Sequence, residues 1–204
     1  MHKHHIIKSG NSTATKALIL LHGRGSTAHN ILSLIVNLNV EGYAFFAPQA
    51  TNNSWYPESF LAKPELNEPW LSSALQMLAA TVKEIENQGI AAENIYFLGF
   101  SQGACLASEF IARNAVKYGG AVIFTGGLIG DKVYNENYKG DFNNTPVFIG
   151  TSNPDFHVPV ERVYDTVEVL KSMGANVTVK VYDNMGHTIS QDEINLANQL
   201  VFRN

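Results

Sequence analysis

Asn94-Ile-Tyr-Phe-Leu-Gly-Phe-Ser-Gln-Gly-Ala-Cys-Leu-Ala-Ser108 is the stretch that decides the fold. Asn94–Phe100 has the near-continuous apolar character of a strand buried on both faces, and Gln102–Asn114 reads as a helix. Between them, Gly99-Phe-Ser-Gln-Gly103 matches the pattern G-x-S-x-G. At average residue usage that string arises by chance in very roughly 0.1 of chains this long, so the string alone is a weak signal. A buried strand before it and a helix after it make the signal strong. That context is a sharp strand-to-helix turn which thrusts a serine hydroxyl out at the end of a sheet. Side chains flanking such a turn collide, and Gly99 and Gly103 relieve the collision. The bland alternative is a glycine-rich turn carrying an inert serine. Ser101 also stands at a helix start, where unpaired N–H groups favour a developing negative charge.

Working outward, strand-like and helix-like segments alternate. This predicts an α/β fold with a mostly parallel central sheet and helices on both faces. Lys16–His22 (KALILLH) is an apolar strand leading into Gly23-Arg-Gly-Ser26. A helix is expected over Thr27–Asn39, with Ala28, Ile31, Leu32, Ile35 and Leu38 on one stripe. Tyr43–Pro48 is the next strand, followed by a loop from Gln49 to about Asn67. A helix begins near Pro69 and ends before Gly89, the usual placement of the two residues at helix termini. Leu71, Leu75, Leu78, Val82 and Ile85 form its apolar face. Ala121–Thr125, Pro146–Thr151 and Asn176–Tyr182 complete the strands, and Val160–Met173 is a helix closed by Gly174. Ser190-Gln-Asp-Glu193 has the form of a capping box opening a last helix. No repeat or linker interrupts the pattern, and no segment is long enough for a large cap. The expectation is a single domain over residues 1–204.

The bulk numbers fit that reading. The chain has 204 residues, 45% hydrophobic and 16% charged, with a formal net charge of −4. This is enough apolar content for a substantial core, and there is no basic patch that would suit nucleic acid. The one cysteine, Cys105, excludes an internal disulfide framework and fits a reducing compartment. No run approaches the roughly 18 apolar residues of a membrane span. The start, Met1-His-Lys-His-His-Ile-Ile-Lys8, lacks the apolar core of a signal peptide. A cytoplasmic protein is therefore expected. His2, His4 and His5 are read as a mobile or strand-borne polar start rather than a metal site, because no cysteine or carboxylate lies nearby.

A serine hydroxyl needs a base, and the base needs an orienting acid. In a sheet of this kind the chain order is Ser, then Asp or Glu, then His. Two histidines follow Ser101. His187 lies in Asp183-Asn-Met-Gly-His-Thr188, at the C-terminal exit of a strand, where such sheets place functional groups. It is the expected base. His157 lies ahead of it and reads as a rim residue. Asp155, in Gly150-Thr-Ser-Asn-Pro-Asp-Phe-His-Val-Pro159, is the expected acid. Asp131, Asp141 and Asp183 are the competitors. The Leu20-Leu-His-Gly-Arg-Gly-Ser26 loop would supply one backbone N–H to an oxyanion hole, from Arg24. The residue after the nucleophile, Gln102, would supply the other. A phosphate-binding loop is the rival reading, but Gly23-Arg-Gly25 lacks the Lys-Ser/Thr of a P-loop and the third glycine of a dinucleotide fingerprint.

Taken together, His22-Gly-Arg-Gly25, Gly99-Phe-Ser-Gln-Gly-Ala104, Asp155-x-x-Val-Pro159 and Gly186-His187 resemble the phospholipase/carboxylesterase family. This is the compact branch of α/β-hydrolases that includes bacterial carboxylesterases and acyl-protein thioesterases. The resemblance extends over nearly the whole chain. It implies a compact α/β-hydrolase fold without a large cap domain, a catalytic triad of Ser101, Asp155 and His187, and an oxyanion hole of Arg24 and Gln102. The chain departs from the acyl-protein branch at Arg24, where those members usually carry an apolar residue. The segment from Asn53 through Trp70 resembles a bacterial, dienelactone-hydrolase-like subgroup.

The expected activity is hydrolysis of carboxylic esters of small to medium acyl groups through an acyl-enzyme. It calls for no cofactor and no metal. The partner is a small-molecule ester; no nucleic acid partner is expected, and nothing points to a homo-oligomer. An acyl thioesterase or a lysophospholipase uses the same chemistry and stays open, as does a scaffold that binds ligand without turnover. Cys105, one turn into the helix after Ser101, reads as a small packing residue rather than a rival nucleophile. Trp55, Tyr56, Phe60, Leu61 and Trp70 cluster in and after the 49–67 loop. They form either a wall over the substrate or a satellite core that pins the loop. Arg24 and His157 would add polarity toward a substrate bearing negative charge.

Overall fold

Seven strands form one sheet in a computed structural model that describes residues 1–203. Asn204, which the expected domain includes, lies outside the described residues. The strands are β1 (Ile6–Gly10), β2 (Ala17–Leu21), β3 (Ala44–Pro48), β4 (Ile95–Phe100), β5 (Gly120–Phe124), β6 (Pro146–Asn153) and β7 (Asn176–Asp183). Their spatial order is β1-β3-β2-β4-β5-β6-β7. β1 runs antiparallel to β3 and every other pairing is parallel. This is the compact, mostly parallel α/β-hydrolase sheet expected from the alternating pattern. β2, β4 and β5 lie inside the sheet, and their continuous apolar runs follow from burial on both faces.

Helices cover both faces. α2 (Trp70–Asn87), α3 (Gln102–Arg113) and α4 (Val160–Ser172) pack on one side, and α1 (Ala28–Leu32) and α5 (Gln191–Leu200) on the other. The α2 stripe is centred on Leu71, Leu78 and Ile85, with Leu75 and Val82 half-buried on its flank. α5 opens with the capping box read from the sequence. The Ser190 hydroxyl accepts the Glu193 N–H, and the Glu193 carboxylate accepts the Ser190 N–H.

Two elements differ from expectation. The helix expected over Thr27–Asn39 is α-helical only over Ala28–Leu32 and continues as a 3-10 turn over Ser33–Asn37. Leu32, Ile35 and Leu38 recur every three residues, the period of the tighter helix, so the 3-10 form keeps all three against the core. The histidine-rich start leads into β1, which pairs along β3 from Ile6 opposite Pro48 to Gly10 opposite Ala44.

The sheet places β2, β4, β6 and β7 so that their C-terminal ends open on one edge. Register fixes the alignment: Leu21 lies beside Gly99, and Asn153 beside Asp183. The loops after these four strands carry Arg24, Ser101, Gln102, Asp155 and His187, and the loop after β3 adds Tyr56 and Phe60.

Candidate active site

Ser101 sits between β4 and α3 with φ 54° and ψ −120°, a backbone conformation that L-residues seldom adopt. Close packing enforces the bend. A Cβ at Gly99 would lie 2.5 Å from the Gly103 carbonyl oxygen, and one at Gly103 would overlap the Leu21 and His22 carbonyls. The Ser101 N–H donates to Phe124 O at 3.0 Å, which ties the bend to β5.

His187 arrives from the loop after β7. Gly186, at φ 81°, turns the chain back, and its N–H donates to the Ser152 hydroxyl on β6. The imidazole Nε2 lies 2.8 Å from Ser101 Oγ, and Nδ1 lies 2.8 Å from Asp155 Oδ2. A carboxylate accepts only, so Nδ1 carries the proton and Nε2 presents a lone pair to the serine hydroxyl. The ring is held between Phe100, 5.3 Å away, and His157, edge-on at 4.8 Å.

The Asp155 side chain is shut off from solvent. Burial pushes its carboxyl pKa up. The His157 and Val158 N–H groups, which donate to Oδ1 at 2.7 and 2.9 Å, and the bond from His187 outweigh that and hold it below the ordinary carboxylate value. The competing acids are elsewhere. Asp131 takes the Tyr134 hydroxyl, Asp141 takes the Asn143 N–H, and Asp183 is an exposed end of β7.

The loop after β2 lies against the bend: a Cβ on Gly23 would be 3.4 Å from the Ser101 Cβ. The backbone N–H groups of Arg24 and Gln102 have no acceptor among the described residues. Both elements border a cleft of about 400 Å³ that also contains Ser101 and His187.

The substrate-wall candidates divide. Tyr56, Phe60 and His157 line the cleft. Trp55, Leu61 and Trp70 do not, which corrects their assignment. Trp55 is fully buried beneath the loop, and its indole N–H donates to His22 O at 2.8 Å. Leu61 packs against the main core. Trp70 stands edge-on to His2 at 5.2 Å and borders a separate depression with Thr51, Asn52 and Pro57. The segment thus lines the cleft and pins the loop at once, since Tyr56 and Phe60 border the cleft and also belong with Trp55 to the main core. Arg24 borders the cleft, and its guanidinium also donates to the Ser54 hydroxyl and to the Pro57 and Glu58 carbonyls, so it braces this loop.

Sequence reading missed a second role of Gln102. Its side-chain oxygen accepts the Trp55 N–H at 2.9 Å, and its amide donates to Tyr56 O at 2.8 Å. One residue therefore offers a backbone donor toward the cleft and clips down the loop that lines it. No local pattern announces a contact across 46 or more residues. The other omission, His22, did leave a signal: it is a polar residue ending an apolar strand.

Residues 2–201 match a model of the phospholipase/carboxylesterase family. The chain belongs to that family. A crystal structure of a phospholipase/carboxylesterase from Dyadobacter fermentans superposes on this family member with a TM-score of 0.98. The two chains share 55% identity, with 99% of this chain and 98% of that one covered. An Arabidopsis thaliana protein named "Probable carboxylesterase SOBER1-like" is 25% identical over 92% of this chain and 78% of its own length. Acyl-protein thioesterase 1 of Candida albicans is 27% identical over 92% and 91%. With relatives of these two kinds, the family member is a hydrolase of ester type. No helix among the described residues is long and apolar enough to cross a membrane.

Proposed function

We propose that this protein hydrolyses carboxylic esters of small to medium acyl groups through an acyl-enzyme on Ser101. The observation that carries the reading is the unbroken relay from Asp155 Oδ2 to His187 Nδ1 and from His187 Nε2 to Ser101 Oγ, both steps at 2.8 Å.

The Ser101 oxygen attacks the ester carbonyl as His187 Nε2 takes its proton. The carbonyl π electrons move onto oxygen, and the Arg24 and Gln102 N–H groups stabilise the oxyanion. Asp155 holds the ring in its reactive tautomer and stabilises the imidazolium. Collapse of the intermediate breaks the C–O bond to the alcohol, which leaves with the proton from His187. Water then adds by the reverse sequence, giving the free acid and restoring Ser101. No step calls for a metal or an organic cofactor. The chain acts as one domain, and the cleft of about 400 Å³ suits short or compact acyl groups.

The test is a p-nitrophenyl ester panel, acetate to decanoate, on wild type and Ser101→Ala. Loss of about 10⁶ in kcat in the variant supports the mechanism. Equal turnover in both proteins removes Ser101 from it. The relative named an acyl-protein thioesterase makes a matched acyl-thioester panel the natural second arm.

A further inference from the structure

His22 is fully buried, yet it belongs to neither the triad nor the wall of the cleft. Its hydrogen bonds fix its tautomer. The Ala50 N–H donates to His22 Nε2 at 3.1 Å, and the Gln49 side-chain amide lies 3.3 Å from the same nitrogen. Backbone N–H is only a donor, so Nε2 must be the lone pair and Nδ1 must carry the proton. Nδ1 lies 2.8 Å from the Gly23 carbonyl oxygen and donates to it. That carbonyl belongs to the same peptide unit as the Arg24 N–H. In a planar trans peptide, C=O and N–H point in opposite directions, so holding one aims the other.

We infer that His22 is a positioning residue of the oxyanion hole, which fixes and polarises the Gly23–Arg24 peptide through its carbonyl so that the Arg24 N–H faces Ser101. This rests on the proposed role of Arg24 as an oxyanion donor. Accepting a hydrogen bond at the carbonyl makes the opposite N–H a stronger donor, since bonded dipoles polarise one another. The Ser26 N–H donates to the same carbonyl at 3.1 Å and adds to the effect. The imidazole is itself braced, because the Trp55 ring lies 5.0 Å away and the Trp55 indole bonds the His22 carbonyl. Burial lowers the His22 pKa, partly opposed by the bond to Gly23 and reinforced by His2, so the ring stays neutral and Nε2 stays an acceptor.

Two substitutions divide the bonds. An Asn side chain carries an N–H where Nδ1 stands, so His22→Asn keeps the bond to Gly23 O and gives up the acceptor for Ala50. A Gln oxygen reaches toward the Nε2 position, so His22→Gln keeps the acceptor and gives up the donor. Removing a direct oxyanion donor costs about 10² to 10³ in kcat, and loosening its support should cost about 10-fold to 100-fold. The expected result is that His22→Gln loses about 10-fold or more in kcat with KM within about 2-fold, while His22→Asn stays within about 3-fold of wild type. Affinity for an alkyl trifluoromethyl ketone, whose serine hemiketal carries an oxyanion, should weaken in His22→Gln by the same factor as kcat. Equal kcat and inhibitor affinity in the two variants, or a more active Gln variant, would overturn the inference.

A measurement on the wild-type protein does not depend on either variant folding. Histidine ¹⁵N NMR should show His22 as the Nδ1–H tautomer at neutral pH, and the Nε2–H tautomer would overturn the inference. Wild type and Ser101→Ala run alongside on p-nitrophenyl acetate. If those two turn over equally, the serine mechanism itself fails, whatever the His22 variants do.

Discussion

Removing the Gln102 side chain tests whether a contact invisible in the sequence holds the cleft together. Its two bonds satisfy the Trp55 N–H and the Tyr56 carbonyl, and all three residues are buried, at 6%, 0% and 1% exposure. Water therefore cannot replace the lost partners without opening the loop. The Tyr56 carbonyl keeps the Ser54 hydroxyl at 2.9 Å, so the Trp55 N–H is the group left stranded. At about 1–3 kcal/mol for such a group, Gln102→Met, which keeps most of the volume, should lose about 1–3 kcal/mol. For a chain of this size each kcal/mol moves the midpoint by about 2–4 °C, which makes the expected fall in Tm about 2–12 °C. Gln102→Glu should be at least as damaging at neutral pH. It keeps the acceptor for Trp55 but sets a second oxygen against Tyr56 O and buries a charge. The assay is thermal unfolding followed by tryptophan fluorescence, which suits the case because Trp55 and Trp70, the two tryptophans, both flank the loop. Esterase kinetics run in parallel. The Gln102 backbone N–H remains, so KM should suffer more than kcat. A Gln102→Met protein melting within about 1 °C of wild type would refute the reasoning, since stranding the buried Trp55 N–H cannot be that cheap.

Asp155→Asn should lower kcat by about 10⁴, because an amide at Oδ2 offers the imidazole the wrong tautomer; a loss under 10-fold would remove Asp155 from the relay. Burial lowers the pKa of both His2 and His22 from the ordinary 6.5. Below about that pH the unfolded chain takes up protons the folded chain refuses, so stability should be full above pH 6.5 and fall on acidification. The depressed Asp155 acts in the same direction, contributing above about pH 4 and failing as pH drops through its folded value. A Tm series from pH 7.5 to 5 that stays flat or rises would contradict this. Burial pushes the Cys105 thiol up to about 12, so iodoacetamide at pH 8 should leave native activity intact. Stoichiometric inactivation would bring the thiol back into the chemistry.

Much of this protein is written locally. The apolar runs at 17–21, 95–100 and 120–124 predict strands because a residue covered on both faces has no reason to alternate. G-x-S-x-G fixes the bend at Ser101 because only glycine fits on either side of it. The order Ser101, Asp155, His187 is the one an α/β-hydrolase elbow leads one to expect, and the family resemblance pointed to the same three residues. The 3-10 turn at 33–37 was not legible, since i+3 and i+4 spacings overlap over so short a stretch. Nor was the division of the aromatic loop. Trp55 and Tyr56 are neighbours of similar character and both are buried in the core, but of the two Tyr56 alone also borders the cleft. That choice is made by Gln102, 46 and 47 residues along the chain, and by His22, 33 residues back from Trp55. The sequence by itself thus determined the sheet and the elbow and pointed to the proposed reacting groups, because each depends on covalent neighbours and on the period of burial. The tertiary structure alone decided which aromatics border the cleft, that Arg24 braces the loop, and which way the Gly23–Arg24 peptide points. Those depend on hydrogen bonds between segments that meet only after the chain has folded.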